Sequence, residues 1–164
     1  MMKYLAALYF AFFACVAHAQ QVEVDVNEAV GSCSETQMIG AWKLVHLYQK
    51  PEGDSSKAFE GGYIDYLILG EGLGLKFFST QDSFSSEKQV EVRLIEIEEQ
   101  GAFIPHRFRL GKNDVVQMTR NGQPMQYFRC NMLKMDLNEK MKAGDMILNS
   151  STDAQELMRI FRKL

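Results

Sequence analysis

Histidine and cysteine side chains are the groups best able to do chemistry in this 164-residue chain. His46 or His106 beside Cys130 would form a nucleophile pair, because an imidazole can take the proton of a thiol. A disulfide or a buried thiol explains Cys130 more simply. The sequence also lacks the glycine-x-serine-x-glycine elbow, the phosphate-binding glycine loop and the zinc-protease helix motif. We therefore expect no catalytic residue and no enzyme activity.

The same residue types bear on metal and ligand binding. No histidine pair is spaced at i, i+2 or i, i+4, and neither Cys33 nor Cys130 has a second ligand at metal spacing. We expect no metal and no cofactor. His46 and His106 each share a predicted strand face with large apolar residues, and two interpretations remain open. They are either polar recognition points in a pocket, for a carboxylate or a haem-like ligand, or one buried hydrogen-bonded histidine and one exposed histidine.

The start of the chain has the organisation of an export signal. Lys3 gives a small positive region, Tyr4–Val16 is an apolar run too short for a convincing membrane span, and Ala17-His18-Ala19 is a small-x-small cleavage site. We expect cleavage after Ala19 and a secreted or periplasmic mature chain. Two alternatives are an uncleaved anchoring helix and a lipoprotein acylated at Cys15, which would bring the protein to a membrane.

Two cysteines, Cys33 and Cys130, would remain after cleavage. An even pair in an oxidising compartment predicts a disulfide between them. Two unpaired buried thiols are the alternative, because the sequence does not show whether the two side chains have the geometry of a disulfide.

Charge and length narrow the class of protein. The formal net charge is −3, and the loss of Lys3 would take it to −4 (−3 − 1). A mildly acidic chain with no basic block apart from Arg159–Lys163 is a poor nucleic-acid binder. The length suits one domain with a single core. We divide the chain into a signal peptide (1–19), an N-terminal lead-in (20–35) and a barrel domain (36–164).

Short segments with the alternating pattern of strands, separated by turns, dominate the chain after residue 40. Asn121-Gly122 is a strong hairpin signal. Ser34 or Thr36 is expected to cap one helical turn before the first strand. Helical spacing of Leu133, Leu137 and Met141 predicts a short helix over Leu133–Lys142. The predicted strands are Trp42–Tyr48, Tyr63–Leu69, Leu73–Ser79, Val90–Glu98, Ala102–Leu110, Val115–Thr119, Pro124–Asn131 and Met146–Ser150.

The end of the chain fits two patterns, since residues 154–164 match either a closing strand or a C-terminal helix. Many short strands joined by tight turns are typical of an antiparallel barrel or sandwich. The predicted fold is mainly β, an antiparallel up-and-down β-barrel with one short helix late in the chain.

The segment Ile39-Gly40-Ala41-Trp42-Lys43-Leu44-Val45 resembles the start of a lipocalin, most of all the short lipocalin-like domains of secreted bacterial proteins. The resemblance runs from about Thr36 to the end of the chain. Gly40 would let the backbone bend into the barrel floor, and Trp42 would plug the closed end. The resemblance further implies that Arg159 or Arg162 lies over Trp42 in a cation–π contact. The family's second motif, a threonine-aspartate-tyrosine turn, is missing.

A barrel of eight strands either holds one modest ligand or is filled by its own side chains. We expect a small hydrophobic or amphipathic molecule in the interior. The alternative is a filled barrel that docks a protein or glycan through loops such as Pro51–Gly61 or Thr80–Lys88. The predicted inward-facing ligand-binding residues, most of which a plain core would also need, are Trp42, Leu44, His46, Tyr48, Tyr66, Phe77, His106, Phe108, Met118 and Phe128.

Arginines in or beside the predicted strands bear on the kind of ligand. Any that point inward would pair with an anionic head group, because a guanidinium matches a carboxylate in a bidentate fork, whereas outward ones would be solvated. They are Arg93, Arg107, Arg109, Arg120 and Arg129.

Overall fold

A computed structural model describes residues 26–50, 64–101, 103–151 and 156–164. The predicted signal peptide and the Pro51–Gly61 loop lie outside these residues. The helices are α1 (Val26–Ala29), α2 (Glu35–Met38) and α3 (Glu87–Gln100), and a 3₁₀ turn spans Glu71–Leu73. The strands are β1 (Val30–Ser32), β2 (Gly40–Lys50), β3 (Tyr66–Leu69), β4 (Gly74–Phe78), β5 (His106–Leu110), β6 (Val115–Arg120), β7 (Gln123–Leu133), β8 (Met146–Ser151) and β9 (Glu156–Lys163).

Strands β2 to β9 form a closed antiparallel barrel of eight strands, which confirms the predicted fold class. Neighbours along the chain pair in turn, and β9 returns to pair with β2. The short strand β1 adds to β7 outside this ring. Asn121 and Gly122 both have positive φ, at 50° and 78°, as expected for the tight turn between β6 and β7. Closure removes the free sheet edges that would otherwise invite aggregation.

Large side chains fill the barrel around Trp42, which is fully buried. Its indole Nε1 donates a hydrogen bond to the carbonyl oxygen of Met38 at 2.7 Å. Gly40 has φ +132°, a backbone conformation that side chains rarely adopt, so the sharp entry into β2 needs glycine. The cluster around Trp42 also contains Met38, Leu67, Leu69, Phe108, Val116, Met118, Phe128, Met146, Leu148 and Phe161.

The lead-in is fixed to the barrel by a disulfide between Cys33 and Cys130, which confirms the predicted pairing. Ser34 caps α2, and its backbone N–H donates to Gln37 Oε1 at 3.1 Å, so the predicted helical turn is present. The disulfide joins positions separated by 97 residues, and it therefore restricts a large portion of the unfolded chain.

The prediction of a strand over Val90–Glu98 is wrong. It lies within α3, which packs on the outer face of β2–β4. Val90 and Leu94 are buried there at 0% and 4% exposure, whereas Val92 is 49% exposed. The buried apolar residues therefore follow the four-residue spacing of a helix face, not the two-residue alternation of a strand. The predicted strand Ala102–Leu110 also begins later, at His106.

The late helix predicted over Leu133–Lys142 is wrong as well. Leu133 ends β7, and residues 134–145 form turns whose N–H groups bind side chains. Asn138 Oδ1 accepts from Lys140 N and Met141 N, and Asp145 Oδ2 accepts from Lys142 N at 2.7 Å. Short polar side chains here offer the backbone bonds that compete with a helix. Of the two patterns left open for the end of the chain, Glu156–Lys163 is a strand.

Candidate functional site

A β-bulge at Val45 decides which side chains of β2 enter the barrel. Leu44 lies opposite Phe161, but the next pair is His46 with Ile160, so the register shifts by one residue. Leu47 and Gln49 lie opposite Arg159 and Leu157, on the face that Phe161 uses inside the barrel. The predicted inward positions of His46 and Tyr48 are therefore wrong, because a single inserted residue reverses all later side chains.

The other predicted interior residues are Tyr66, His106 and the members of the cluster around Trp42. Trp42, Leu44, Phe77, Phe108, Met118 and Phe128 belong to or pack against the cluster around Trp42. Tyr66 is buried outside the barrel under α3, in the cluster with Val90, which corrects its inward assignment. Its hydroxyl oxygen accepts from Phe84 N at 2.7 Å and so holds the chain that leads into α3.

His106 lies half-buried where β4 meets β5. The ladder between these strands has two residue pairs, Gly74 with Arg107 and Leu75 with His106, and we call it the β4–β5 seam. The His106 ring centroid is 5.0 Å from that of Phe77, and His106 Nδ1 lies 2.7 Å from the carbonyl oxygen of Ile104. His106 thus has an aromatic and a backbone partner within the protein.

The cation over Trp42 is Lys163 rather than an arginine. Lys163 Nζ lies 5.4 Å from the Trp42 ring centroid. Arg162 instead binds Asp145 through both Nε and Nη2, at 2.9 and 2.8 Å, and this ion pair raises the pKa of Arg162. Arg159 points into the barrel. The roles that the family resemblance implied for Arg159 and Arg162 are therefore wrong here.

Arg159 is the feature that sequence reasoning missed. It is 1% exposed, its Nη1 donates to Ser150 Oγ at 3.1 Å, and its guanidinium carbon lies 5.7 Å from the Phe128 ring centroid. Burial lowers the pKa of Arg159 to about 10, because a low-dielectric environment disfavours the charged form. The signal was the alternation of Leu157, Arg159 and Phe161, which carries this meaning only once the segment is known to be a strand.

Beside Arg159 the barrel wall opens into a cleft of about 720 Å³. Strands β7 and β8 pair from Arg129 to Met132, but Phe128 and Ser150 lie beyond that ladder, so the two strands diverge there. We call this opening the β7–β8 cleft. Phe128, Leu157, Ser150 and Gln49 line its inner region. Its outer region is lined by Tyr127, Arg129 and the outward-facing Tyr48, so Tyr48 borders the cleft although it does not point into the barrel.

The β7–β8 cleft holds an unmet hydrogen-bond donor. Among the described residues, the buried Nε2 of Gln49 has no hydrogen-bond partner. A buried amide without a partner costs free energy, and an acceptor in the cleft would recover it once the Gln49 side chain turned toward the cleft. The cleft therefore combines apolar walls, a free donor at Gln49 and a positive charge at Arg159 behind Ser150.

The arginines whose inward or outward position the sequence left open lie mostly on outer surfaces. Arg107 and Arg109 alternate with the buried Phe108, so they lie on the outer face of β5. There they line a groove of about 1070 Å³ beside α3, which we call the α3 groove. Arg129 lines the β7–β8 cleft from outside, and Arg93 pairs with Glu96 at 2.8 Å on α3. Arg120 is exposed at the end of β6.

Metal-binding clusters and membrane-spanning helices are absent from the residues that the structure describes. These residues include no group of three or more histidine, cysteine, aspartate or glutamate side chains placed to hold a metal ion. Within the same ranges, no helix is long and apolar enough to cross a membrane. Comparison with protein-family models, curated proteins and solved structures finds no match to the chain.

Proposed function

We propose that this chain is an exported, lipocalin-like barrel that binds a small amphipathic molecule with an anionic head in the β7–β8 cleft. The observation that carries the proposal is the joining of three features in one opening. These are the apolar walls at Phe128 and Leu157, the unmet donor of Gln49, and the hydroxyl of Ser150, which accepts a hydrogen bond from the buried Arg159 behind it. Concave, mostly apolar sites with a few converging polar groups are typical of small-molecule binding.

Burial would supply most of the affinity. Apolar ligand surface that leaves water contributes roughly 25 cal/mol per Å². Because the side chains around Trp42 already fill the barrel there, the ligand would enter from the cleft rather than occupy the whole interior. Its apolar portion would lie against Phe128 and Leu157.

Polar groups would set the orientation of the ligand. A carboxylate or phosphate near Ser150 would gain from the positive charge of Arg159 through the hydroxyl that Arg159 already binds. Charge-assisted bonds to a guanidinium are stronger than bonds between neutral groups. The amide of Gln49 would donate to the same head group.

Export is the second element of the proposal. The signal-like start of the chain and the Cys33–Cys130 disulfide support a secreted or periplasmic location, since disulfides persist in oxidising compartments. A carrier outside the cytoplasm would meet amphipathic molecules that are poorly soluble in water.

The test is displacement of a fluorescent fatty acid from the delipidated mature protein by palmitate and by methyl palmitate. We expect the acid to bind about tenfold more tightly than the ester, as one charge-assisted hydrogen bond implies. Arg159→Met should remove this preference. Arg120→Met is the matched control, because Arg120 is exposed outside the cleft, and the preference should persist.

Folding of Arg159→Met is checked by a thermal melt, and Gln49→Leu gives a second variant at the cleft itself. Gln49→Leu should weaken the binding of palmitate and leave the binding of methyl palmitate unchanged. Failure of the wild-type protein to bind any of these probes, or equal binding of acid and ester, would overturn the proposal.

A further inference from the structure

Basic and acidic residues are concentrated in different segments of this chain, although its net charge is small. Residues 106–131, which span β5 to most of β7, carry five basic residues and one acidic residue, for a formal +4 (5 − 1), although the whole chain carries −3. Helix α3 has two basic and five acidic residues, for −3 (2 − 5). The basic residues of 106–131 are Arg107, Arg109, Lys112, Arg120 and Arg129, and the acidic one is Asp114.

Three strands bring several of these charges onto one outer surface. Arg109 lies opposite Gln117, and Gln117 lies opposite Tyr127, so the three form one row across β5, β6 and β7. Arg107 and Arg129 lie two residues from Arg109 and Tyr127 along their strands, on the same outer side. Adjacent strands are about 4.8 Å apart and alternate residues about 6.8 Å apart. We call this surface the β5–β7 face.

Tyr127 is the most prominent side chain of the β5–β7 face. It is 59% exposed, although a large aromatic side chain usually gains from burial. Its hydroxyl oxygen accepts a hydrogen bond from Gln117 Nε2 at 2.7 Å, which holds the ring against the sheet. A fixed, exposed ring loses little freedom when a ligand stacks on it.

The arginines of the β5–β7 face are available to a ligand, with the Arg107 guanidinium at its β4 side, near Gly72. Within the described residues, Arg107, Arg109 and Arg129 form no ion pair, whereas Arg93 and Arg162 each bind a carboxylate. Arg107 and Arg109 line the α3 groove, and Tyr127 and Arg129 line the β7–β8 cleft. The β5–β7 face therefore lies between two concave sites. The α3 groove also has Glu91 and Glu98 in its lining, so an acidic chain is favoured on the face itself rather than in that groove.

We infer that the β5–β7 face binds an acidic polysaccharide built from uronic acids. Repeated carboxylates match the spaced guanidinium groups in bidentate pairs, and the C–H face of a sugar ring can stack on Tyr127. Single-stranded nucleic acid is less suited, because successive bases require successive aromatic platforms and this row offers one ring. The inference is independent of the small molecule proposed for the β7–β8 cleft, although Tyr127 and Arg129 lie at the edge of both.

The test is calorimetric titration of the mature protein with short oligogalacturonates at low salt. The double variant Arg107→Gln/Arg109→Gln should lower affinity about tenfold or more, since two charge-assisted contacts are lost. The matched control Lys88→Gln/Lys134→Gln removes the same charge from exposed sites away from the face, and affinity should stay within about twofold. Binding should weaken as salt is raised.

A second pair of variants tests the ring. Tyr127→Ala should lower affinity for the oligosaccharide, whereas Tyr127→Phe should keep most of it, because the stacking surface remains. Far-ultraviolet circular dichroism and a thermal melt establish that each variant folds. Fatty-acid displacement from Arg107→Gln/Arg109→Gln should match the wild type, which separates this surface from the cleft.

Several outcomes would overturn the inference. These are equal losses in the control double variant, equal binding of the methyl-esterified oligosaccharide, and no binding at all. Monomeric galacturonate that binds as tightly as the oligomer would show an anion site rather than a polysaccharide track. Tighter binding of oligothymidylate or of anionic phospholipid vesicles would assign the face to another partner.

Discussion

Lys163 and Trp42 form a stacked pair where β2 begins and β9 ends, with Nζ 5.4 Å from the ring centroid. Gly40 makes this possible, because a Cβ at position 40 would lie 2.6 Å from Lys163 Cε. Position 40 therefore requires glycine for two reasons. Its φ is positive, and the stem of Lys163 occupies the space that a Cβ would need. The Gly40-x-Trp42 step and Lys163 act as one unit that joins β2 to β9.

Lys163→Met should lower the free energy of unfolding by about 0.5–1 kcal/mol, the range for an exposed cation–π contact. Lys163→Arg should keep most of it, since a guanidinium also binds an aromatic face. Urea denaturation followed by the fluorescence of Trp42 measures both. Lys134→Met is the control, because Lys134 is exposed and makes no cation–π contact within the described residues. An equal loss in that control would contradict the assignment.

Removal of the Cys33–Cys130 disulfide in Cys33→Ser/Cys130→Ser should lower the free energy of unfolding by about 4 kcal/mol. The entropic cost of closing a loop of this length in the unfolded chain sets that magnitude. Denaturation of the wild type with and without a reducing agent gives the same comparison. The double variant should not respond to the reductant. Unchanged stability on reduction would mean that the bond constrains little of the unfolded chain.

Asp145 should matter more than a typical surface acid. It is 1% exposed, it binds Arg162 in a bidentate pair, and it accepts from Lys142 N. Asp145→Asn should lower the free energy of unfolding by about 2 kcal/mol, less than a fully buried pair because Arg162 is partly solvated. Glu96→Gln breaks the exposed pair with Arg93 and should cost about 0.5 kcal/mol or less. Similar losses in the two variants would show that burial of Asp145 adds nothing.

His46 should make the protein less stable in mild acid. Burial lowers the pKa of His46 below 6.5, and Lys140 lowers it further by repulsion. Because the unfolded chain then binds a proton more readily than the folded one, stability falls as the pH drops through 6.5 toward the lowered pKa. The urea midpoint of the wild type should fall more than that of His46→Gln between about pH 7 and about pH 5. Parallel falls would indicate that other groups set the acid response.

The strand pattern predicted most of the barrel, but it failed in a segment whose apolar residues fit both a strand and a helix. Val90, Val92 and Leu94 alternate as a strand would, yet Val90 and Leu94 also lie four residues apart on one helix face. The outer face of β2–β4 already carried Ala41, Tyr66 and Phe78, and it needed an apolar cover. Burial against this face favoured the helical periodicity over the strand periodicity. The sequence of the segment alone does not show which face it will cover.

The interior was only partly predicted, for a related reason. Alternation from Trp42 placed His46 and Tyr48 inward, but the extra residue at Val45 turned them outward. A bulge has no reliable residue signature, so the sequence could not show this reversal. Arg159 was missed because its direction depends on β9 being a strand paired on both sides.

The β4–β5 seam is the shortest ladder of the barrel and therefore its weakest line of strand pairing. A closed barrel has no edge to release, so widening must separate the strands of a ladder. The seam has two residue pairs, whereas the β2–β9 ladder has eight. Opening at the seam breaks the fewest hydrogen bonds and leaves the end held by Trp42 and Lys163 in place.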